Sequence, residues 1–255
     1  MLADIHCHLY SLHNATEVIE KARNAGIQRL GLVNENIKTM EESFPFKKAF
    51  PDLILYGMGI YPCEFKDFQD EKGEEIRHYL IQNIFRADMM GEIGLDYLCA
   101  STPEEKKLQH ELLQFQLDLA AEHSLPVNLH SRRALRDTMN IAIQYQKKSG
   151  NPALLHWFTQ SRKLVRIAGE AGVFMSVGPR VLYSEDTAKV VAEIPLNCLL
   201  LETDTPVPFQ GKASTPLMIL DVAAKVCEIK KISHQELEKH LEDNLFRYLG
   251  KKARC

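Results

Sequence analysis

Four histidines and two carboxylates stand out in this sequence because each lies at or just after the end of a short apolar run. They are His6, His8, Glu92, His130, His156 and Asp204. Neutral imidazoles suit zinc and iron, and carboxylates add affinity for magnesium and manganese. Six such groups exceed the three or four ligands of a single catalytic zinc. The set therefore predicts two divalent ions (Mg, Mn or Zn), with Glu92 as the ligand that bridges them.

Each of these motifs taken alone also has a structural explanation. The pair His6 and His8 could be hydrogen-bonded to each other, Glu92 could pair with an arginine, and Asp204 could cap the next helix. What favours the metal site is the joint placement, since polar residues placed at random would not all fall at the ends of apolar runs.

The apolar runs themselves predict the strands that carry these side chains. They are mostly apolar on both faces, as strands of a fully covered parallel sheet are. The predicted strands are residues 2–6, 30–34, 53–60, 87–93, 126–130, 153–157, 173–177 and 198–202. Amphipathic helical patterns alternate with them, most clearly at 15–26, 102–123, 132–148, 215–229 and 234–249.

Eight such alternations in 255 residues predict an α/β fold, a (β/α)8 TIM-type barrel that forms a single domain over residues 1–255. A doubly wound open sheet is the alternative. No GxGxxG or GxxxxGK[ST] motif follows a strand, so no nucleotide cofactor is expected. In a barrel of this type the carboxyl ends of the strands form the active-site face, where the six side chains would meet.

Composition narrows the class of protein further. The formal net charge is −3, which is not the charge of a protein that coats nucleic acid. The six cysteines are scattered without a CxxC pair, as is usual in a reducing compartment. No signal peptide or membrane-spanning run is recognised, so a cytoplasmic location is expected.

Several segments resemble the TatD family of metal-dependent deoxyribonucleases, and the match runs nearly end to end. The segments DIHCH at 4–8, GEIGLDY at 91–97, LPVNLHSRRALRD at 125–137, LLLETDTP at 199–206 and NLFRYL at 244–249 are similar to its motifs. The resemblance implies a (β/α)8 barrel, metal ligands at the six positions already named, and phosphodiester hydrolysis of DNA.

Three departures from the family pattern bear on the substrate. Tyr61 stands where the family has an active-site histidine, Trp157 and Gln160 replace a cysteine and a glycine, and the segment after Asp204 is shorter. A phenol is not a cation near neutral pH. With the acidic net charge, this predicts that DNA is bound weakly.

The roles expected of the site residues follow from two-metal chemistry. Glu92 would bridge, His6, His8 and Asp204 would hold one ion, and His130 and His156 the other. Asp204 is the expected proton acceptor, so Asp204 and Glu92 form the catalytic pair. Arg132 and Tyr61 are the expected substrate contacts, although Arg132 could instead form an ion pair with Asp137.

Two other functions remain open from the sequence. One is a small-molecule amidohydrolase or lactonase on the same barrel; such sites commonly use a carboxylated lysine as the bridge, and no lysine lies beside Glu92. The other is a non-catalytic partner protein that keeps the metal site. The oligomeric state is not predicted.

Overall fold

A computed structural model of the chain describes residues 1–209 and 211–250, apart from the side chain of Lys212. Eight parallel strands form the central sheet in chain order, so each strand pairs with the one that precedes it. The strands are β1 Leu2–Cys7, β2 Ile27–Leu32, β3 Ile54–Met58, β4 Met89–Asp96, β5 Val127–Arg132, β6 Ala153–Leu155, β7 Phe174–Val177 and β8 Leu199–Leu201.

Helices alternate with the strands, as the sequence pattern predicts. They are α1 Ala15–Asn24, α2 Ile37–Ala49, α3 Asp70–Asn83, α4 Pro103–Glu122, α5 Leu135–Ser149, α6 Arg162–Glu170, α7 Glu185–Glu193, α8 Ile219–Lys230 and α9 His234–Leu249. A short hairpin of β9 Pro208–Phe209 and β10 Lys212–Ala213 follows β8. The predicted (β/α)8 barrel is confirmed, and the doubly wound alternative is wrong because β1 and β8 close on each other.

Hydrogen bonds after the last strand make that closure. The Asp204 amide donates to the carbonyl of His6 at 2.9 Å, and the His8 amide donates to the carbonyl of Thr205 at 2.7 Å. Chain beyond β8 therefore lies directly against the end of β1. This junction brings the first and last predicted metal ligands together.

The barrel interior is a packed core. Side chains of Ile5, Leu154 and Leu200 are buried there, and Tyr248 near the end of α9 packs on Phe174. Close strand packing requires Gly31, because a Cβ at that position would lie 2.2 Å from the carbonyl oxygen of Ile5. The barrel interior is thus filled by apolar side chains, and the polar groups lie at the carboxyl ends of the strands.

The start of α4 shows how local sequence fixes an element beside the site. Thr102 accepts a hydrogen bond from the Glu105 amide at 3.2 Å, and Glu105 accepts one from the Thr102 amide at 3.3 Å. This capping box and Pro103 at the first helical position match the predicted helix start.

One disulfide joins two loops of the active-site face. Cys63 follows β3 and Cys99 follows β4, and the two are bonded although they are 36 residues apart. The scattered cysteine pattern did not predict this bond, because it depends on the pairing of β3 with β4. Cys7, Cys198 and Cys227 are free and buried.

The described part of the chain was also searched for membrane-spanning helices. None of the helices within residues 1–209 and 211–250 is long and apolar enough to cross a bilayer.

Candidate metal centre

All six predicted ligands meet at the carboxyl end of the barrel. His6 lies in β1 and His8 directly after it, His130 lies in β5, and His156 is the first residue after β6. Asp204 lies in the turn after β8. Glu92 was expected at the end of the fourth strand, but β4 continues to Asp96, so Glu92 lies within the strand.

The first half of the centre is built on His6, His8 and Asp204. One oxygen of Glu92, Oε2, lies 3.6 Å from Nε2 of His6 and 3.5 Å from Nε2 of His8. Oδ1 of Asp204 lies 3.6 Å and 3.3 Å from the same two nitrogens. The two carboxylate oxygens thus face the same pair of nitrogens, which lie 3.3 Å apart, and His6, His8, Asp204 and Oε2 of Glu92 are called half-site 1 below.

The second half is built on His130 and His156. The other oxygen of Glu92, Oε1, lies 2.7 Å from Nδ1 of His130 and 3.0 Å from Nε2 of His156. The two imidazole nitrogens are 3.1 Å apart. This group is called half-site 2, and it shares only Glu92 with half-site 1.

The spacing of these atoms can be compared with that of metal ligands. Ligand atoms about 2.1 Å from a zinc ion at tetrahedral angles lie about 3.4 Å from one another. The separations in half-site 1 agree with that value. Those in half-site 2 are hydrogen-bond distances and need to open by a few tenths of an ångström. The donor set, imidazoles with carboxylates, suits divalent ions from magnesium to zinc.

Each histidine has a polar neighbour on the ring nitrogen that points away from the centre. Nδ1 of His6 donates to Oδ1 of Asn128 at 3.0 Å, and Nδ1 of His8 lies 3.0 Å from the hydroxyl of Tyr10. Tyr10 in turn donates to Glu35 at 2.8 Å. Such contacts fix the tautomer that presents Nε2 to a metal.

The outer nitrogen of His156 faces a different carboxylate, that of Glu202. Oε1 of Glu202 lies 3.7 Å from Nδ1 of His156, which has no hydrogen bond of its own. Both oxygens of Glu202 are already engaged, by the Trp157 amide at 2.6 Å and the Ser176 hydroxyl at 2.5 Å. Glu202 therefore joins the segment after β6 to β7 and β8.

Asp4 links the first strand, β1, to the segment that follows the last strand, β8, close to half-site 1. Its Oδ1 accepts from the Thr203 amide at 2.9 Å and from the His6 amide at 3.3 Å, and its Oδ2 accepts from the Thr203 hydroxyl. Burial raises the pKa of Asp4 to about 8, although these hydrogen bonds lower it. Asp4 thus positions the backbone that carries His6 and Asp204.

Tyr61 and Asp96 surround the outer nitrogen of His130. Oδ2 of Asp96 lies 3.4 Å from Nε2 of His130 and accepts the hydroxyl of Tyr61 at 3.2 Å. That hydroxyl is also 3.2 Å from Nε2 of His130. Oδ1 of Asp96 accepts from the Leu98 amide at 2.8 Å, so Asp96 holds its own loop as well. The Tyr61 hydroxyl is therefore bonded within the protein, while one edge of the side chain still lines the cleft.

Charge at the centre favours ionised carboxylates. Burial raises the pKa of Glu92, but electrostatic interaction with the imidazoles of His156 and His6 and hydrogen bonds from His130 and His156 hold it well below its usual range. The pKa of Asp204 is lowered in the same way, against burial, by a hydrogen bond from His8 and the neighbouring imidazoles. Burial and the charges of Glu92 and Asp96 raise the pKa of Tyr61, which stays a neutral phenol.

A cleft of about 1000 Å³ opens over the centre. Three arginines line it, Arg132, Arg133 and Arg180, and each is exposed. None of them forms an ion pair with a described residue. Asp137, the alternative partner of Arg132, instead accepts the hydroxyl of Tyr97 at 2.8 Å. The guanidinium groups at the mouth thus remain available to an anionic ligand.

Comparison with known proteins places this chain among hydrolases. The sequence model of a family described as TatD related DNase matches residues 3–250. Similar proteins include the deoxyribonuclease TATDN3 of Homo sapiens, 30% identical over 249 residues that cover 92% of this chain and 90% of that protein. Another is YabD of Bacillus subtilis, an uncharacterized metal-dependent hydrolase, 30% identical over 256 residues that cover 96% of this chain and 97% of YabD.

Solved structures support the fold. The crystal structure of YJJV, a TatD homolog from Escherichia coli K12, has a TM-score of 0.85 at 24% identity and covers 97% of each chain. A TatD family hydrolase from Entamoeba histolytica has a TM-score of 0.84 at 18% identity with the same coverage.

Proposed function

The chain belongs to the TatD-related DNase family of metal-dependent hydrolases, and from this premise we propose that it cleaves phosphodiester bonds of DNA at the six-residue centre. The proposed ligands are His6, His8 and Asp204 for one divalent ion, His130 and His156 for the other, and Glu92 for both.

One observation carries the proposal of two ions. The two oxygens of the Glu92 carboxylate face different histidine pairs, Oε2 toward His6 and His8 and Oε1 toward His130 and His156. A carboxylate that served a single ion, or that only formed an ion pair, would have no need of two separate groups of imidazoles. This arrangement is the reason to prefer Glu92 as a bridge.

Divalent ions bound there would lower the pKa of a water molecule and neutralise charge on the phosphate. The protein's own groups supply the remaining steps. Asp204 lines the cleft as an ionised carboxylate, so it is the proposed acceptor of the proton that the attacking water releases. Arg132 is the proposed phosphate contact, since its guanidinium can donate two parallel hydrogen bonds to phosphate oxygens.

DNA affinity is proposed to be weak. The chain carries a net charge of −3, and Tyr61 adds no positive charge to the centre. The exposed arginines of the cleft would therefore supply most of the phosphate contacts, and affinity would depend on few of them.

The test is hydrolysis with added Mg²⁺, Mn²⁺ or Zn²⁺ of a substrate panel: single-stranded DNA, duplex DNA, RNA, a phosphotriester, a lactone and a cyclic amide. We expect metal-dependent cleavage of DNA that is lost in His156→Ala. Cleavage of the lactone or amide without cleavage of DNA would assign the chain to small-molecule hydrolysis. A metal-loaded protein that cleaves nothing in the panel would support a non-catalytic role.

A further inference from the structure

Three aromatic side chains form a cluster that includes Trp157, a residue of the cleft wall, and extends from it through Phe209 to Tyr183. The ring of Trp157 lies 5.4 Å from that of Phe209, and Phe209 lies 6.3 Å from Tyr183, nearly parallel to it at 22°. Trp157 lines the cleft, and Tyr183 is 52% exposed. This group, Trp157, Phe209 and Tyr183, is called the aromatic rim below.

We infer that the aromatic rim is a stacking subsite for an unpaired nucleobase of the substrate strand, beside the phosphate that is cleaved. The inference rests on the proposed function in that it takes the substrate to be DNA. It adds a contact to the base, and with it a requirement that this base be unpaired.

The position of Trp157 relative to the centre supports this inference. Trp157 directly follows the proposed ligand His156, so its indole lies on the wall of the same cleft. A strand whose phosphate reached the centre would carry its base within reach of this wall. Arg180, which also lines the cleft and has no ion pair with a described residue, could contact the next phosphate along the strand.

Trp157 is held in a conformation that a bulky residue seldom adopts. Its φ is +51°, in the left-handed region, and its amide donates to the buried Glu202 carboxylate at 2.6 Å. The indole packs on Gly178, where an added Cβ would lie 3.0 Å from the ring. The backbone conformation and the packing on Gly178 together set the direction of the indole.

An aromatic surface next to unpaired arginines fits single-stranded nucleic acid better than other anions. Every base has a face that can stack on an indole or phenol, and arginines follow the phosphates. Bases within a duplex are already stacked on their neighbours and present only their edges in the grooves. The occupant would therefore be a single strand or a frayed end.

Trp157 is the only tryptophan of the chain, so its fluorescence reports on the rim directly. The experiment titrates wild-type protein with a phosphorothioate-linked thymidine 12-mer, which resists turnover, and with an abasic 12-mer of the same backbone. Tryptophan emission and the anisotropy of a dye on the oligonucleotide are followed together. We expect saturable quenching by the thymidine strand, no quenching by the abasic strand, and about tenfold weaker binding of the abasic strand.

Substitutions distinguish stacking of a base on the aromatic rim from electrostatic attraction of the phosphate backbone. Tyr183→Ala should weaken binding of the thymidine strand severalfold and leave the abasic strand unchanged. Phe85→Ala is the matched control, because Phe85 is 73% exposed but precedes β4, at the other end of the barrel. Gly178→Ala should displace the indole and reduce the quenching.

The inference is overturned if both strands bind with equal affinity, if neither binds, or if the thymidine strand binds without quenching. Failure of the proposed function is a separate result, because it would be seen as no hydrolysis of any phosphodiester with any metal. Hydrolysis without base-dependent binding would retain the proposed function and remove this subsite.

Discussion

The centre and the rim of the cleft are built in opposite ways. At the centre, His6 and Glu92 are buried, and the four histidines each have a polar neighbour behind them. At the rim, Arg132, Arg133 and Arg180 are exposed and have no ion pair with any described residue. The side chains that would bind metal are therefore held in place by neighbouring polar groups, whereas the side chains that would contact the substrate are not.

The departures from the family pattern lie outside the proposed metal ligands. Tyr61, Trp157 and Gln160 all line the cleft, and none of them is a proposed metal ligand. Tyr61 is hydrogen-bonded beside His130, whereas Gln160 is exposed. The difference teaches that metal chemistry and substrate preference can be tested by separate sets of variants.

The largest effect is expected at the centre, from Asp204→Asn. An amide cannot accept the proton of the attacking water, so kcat should fall by about 10²- to 10⁴-fold. The fold should survive, because the contact of Asp204 with β1 uses its backbone amide. The measurement compares kcat and Tm of the variant with those of wild type and of Asp186→Asn, an exposed carboxylate on α7.

Two outcomes for Asp204→Asn would contradict or complicate the role assigned to this residue. Near wild-type turnover by Asp204→Asn at saturating metal would remove Asp204 as the proton acceptor. If Asp204→Asn shows no cooperative unfolding transition, its loss of activity is explained by loss of the fold. In that case kcat is measured for Asp204→Glu, which restores a carboxylate.

An intermediate effect is expected behind the centre, from Asp96→Asn. The amide still offers one oxygen to Leu98, but it can no longer attract the outer nitrogen of His130 as a carboxylate does. Metal affinity of half-site 2, or kcat, should fall by about 10- to 100-fold. Metal titration monitored by calorimetry and steady-state kinetics are the measurements, and Asp96 would thereby be identified as a positioning residue.

Tyr61→Phe is the control for that variant, because it removes one hydroxyl from His130 and keeps Asp96 in place. A loss below about tenfold is expected, at the lower end of the range for such outer partners. A loss as large as that of Asp204→Asn would mean that the Tyr61 hydroxyl acts on the substrate itself.

The smallest effect is expected at the rim, from Arg132→Ala. One exposed phosphate contact is lost, so KM for single-stranded DNA should rise roughly three- to tenfold with kcat little changed. The slope of log KM against log salt should decrease by about 0.7. Arg29→Ala is the matched control, since Arg29 lines a shallow concavity at the other end of the barrel. Equal changes in both variants would exclude a specific contact at Arg132.

Much of the fold and of the centre was predictable from the sequence for a physical reason. Strands that are buried on both faces must be apolar throughout, so a His or Glu at the end of such a run is conspicuous. His6, His130 and His156 could be found in this way. Glu92 was found although β4 extends past it, because the apolar run breaks at its side chain.

The supporting contacts were not predictable, since they depend on which strands become neighbours. Asn128 reaches His6 across 122 residues of sequence, and Asp4 reaches Thr203 across 199. The disulfide between Cys63 and Cys99 likewise follows from the pairing of β3 with β4. Tyr10 carries no pattern that would have identified it, and Glu202, although it ends the apolar run 198–202, was not singled out, because its contacts with Trp157 and Ser176 depend on neighbouring strands.

The central claim, that Glu92 is shared by two half-sites, is tested most directly by counting metal ions. Elemental analysis combined with native mass spectrometry would be applied to wild type and His156→Ala, both loaded without chelator. We predict two divalent ions per wild-type chain and one per His156→Ala chain, because half-site 1 keeps all its ligands. One ion or fewer in wild type, with the same number in His156→Ala, would contradict the claim.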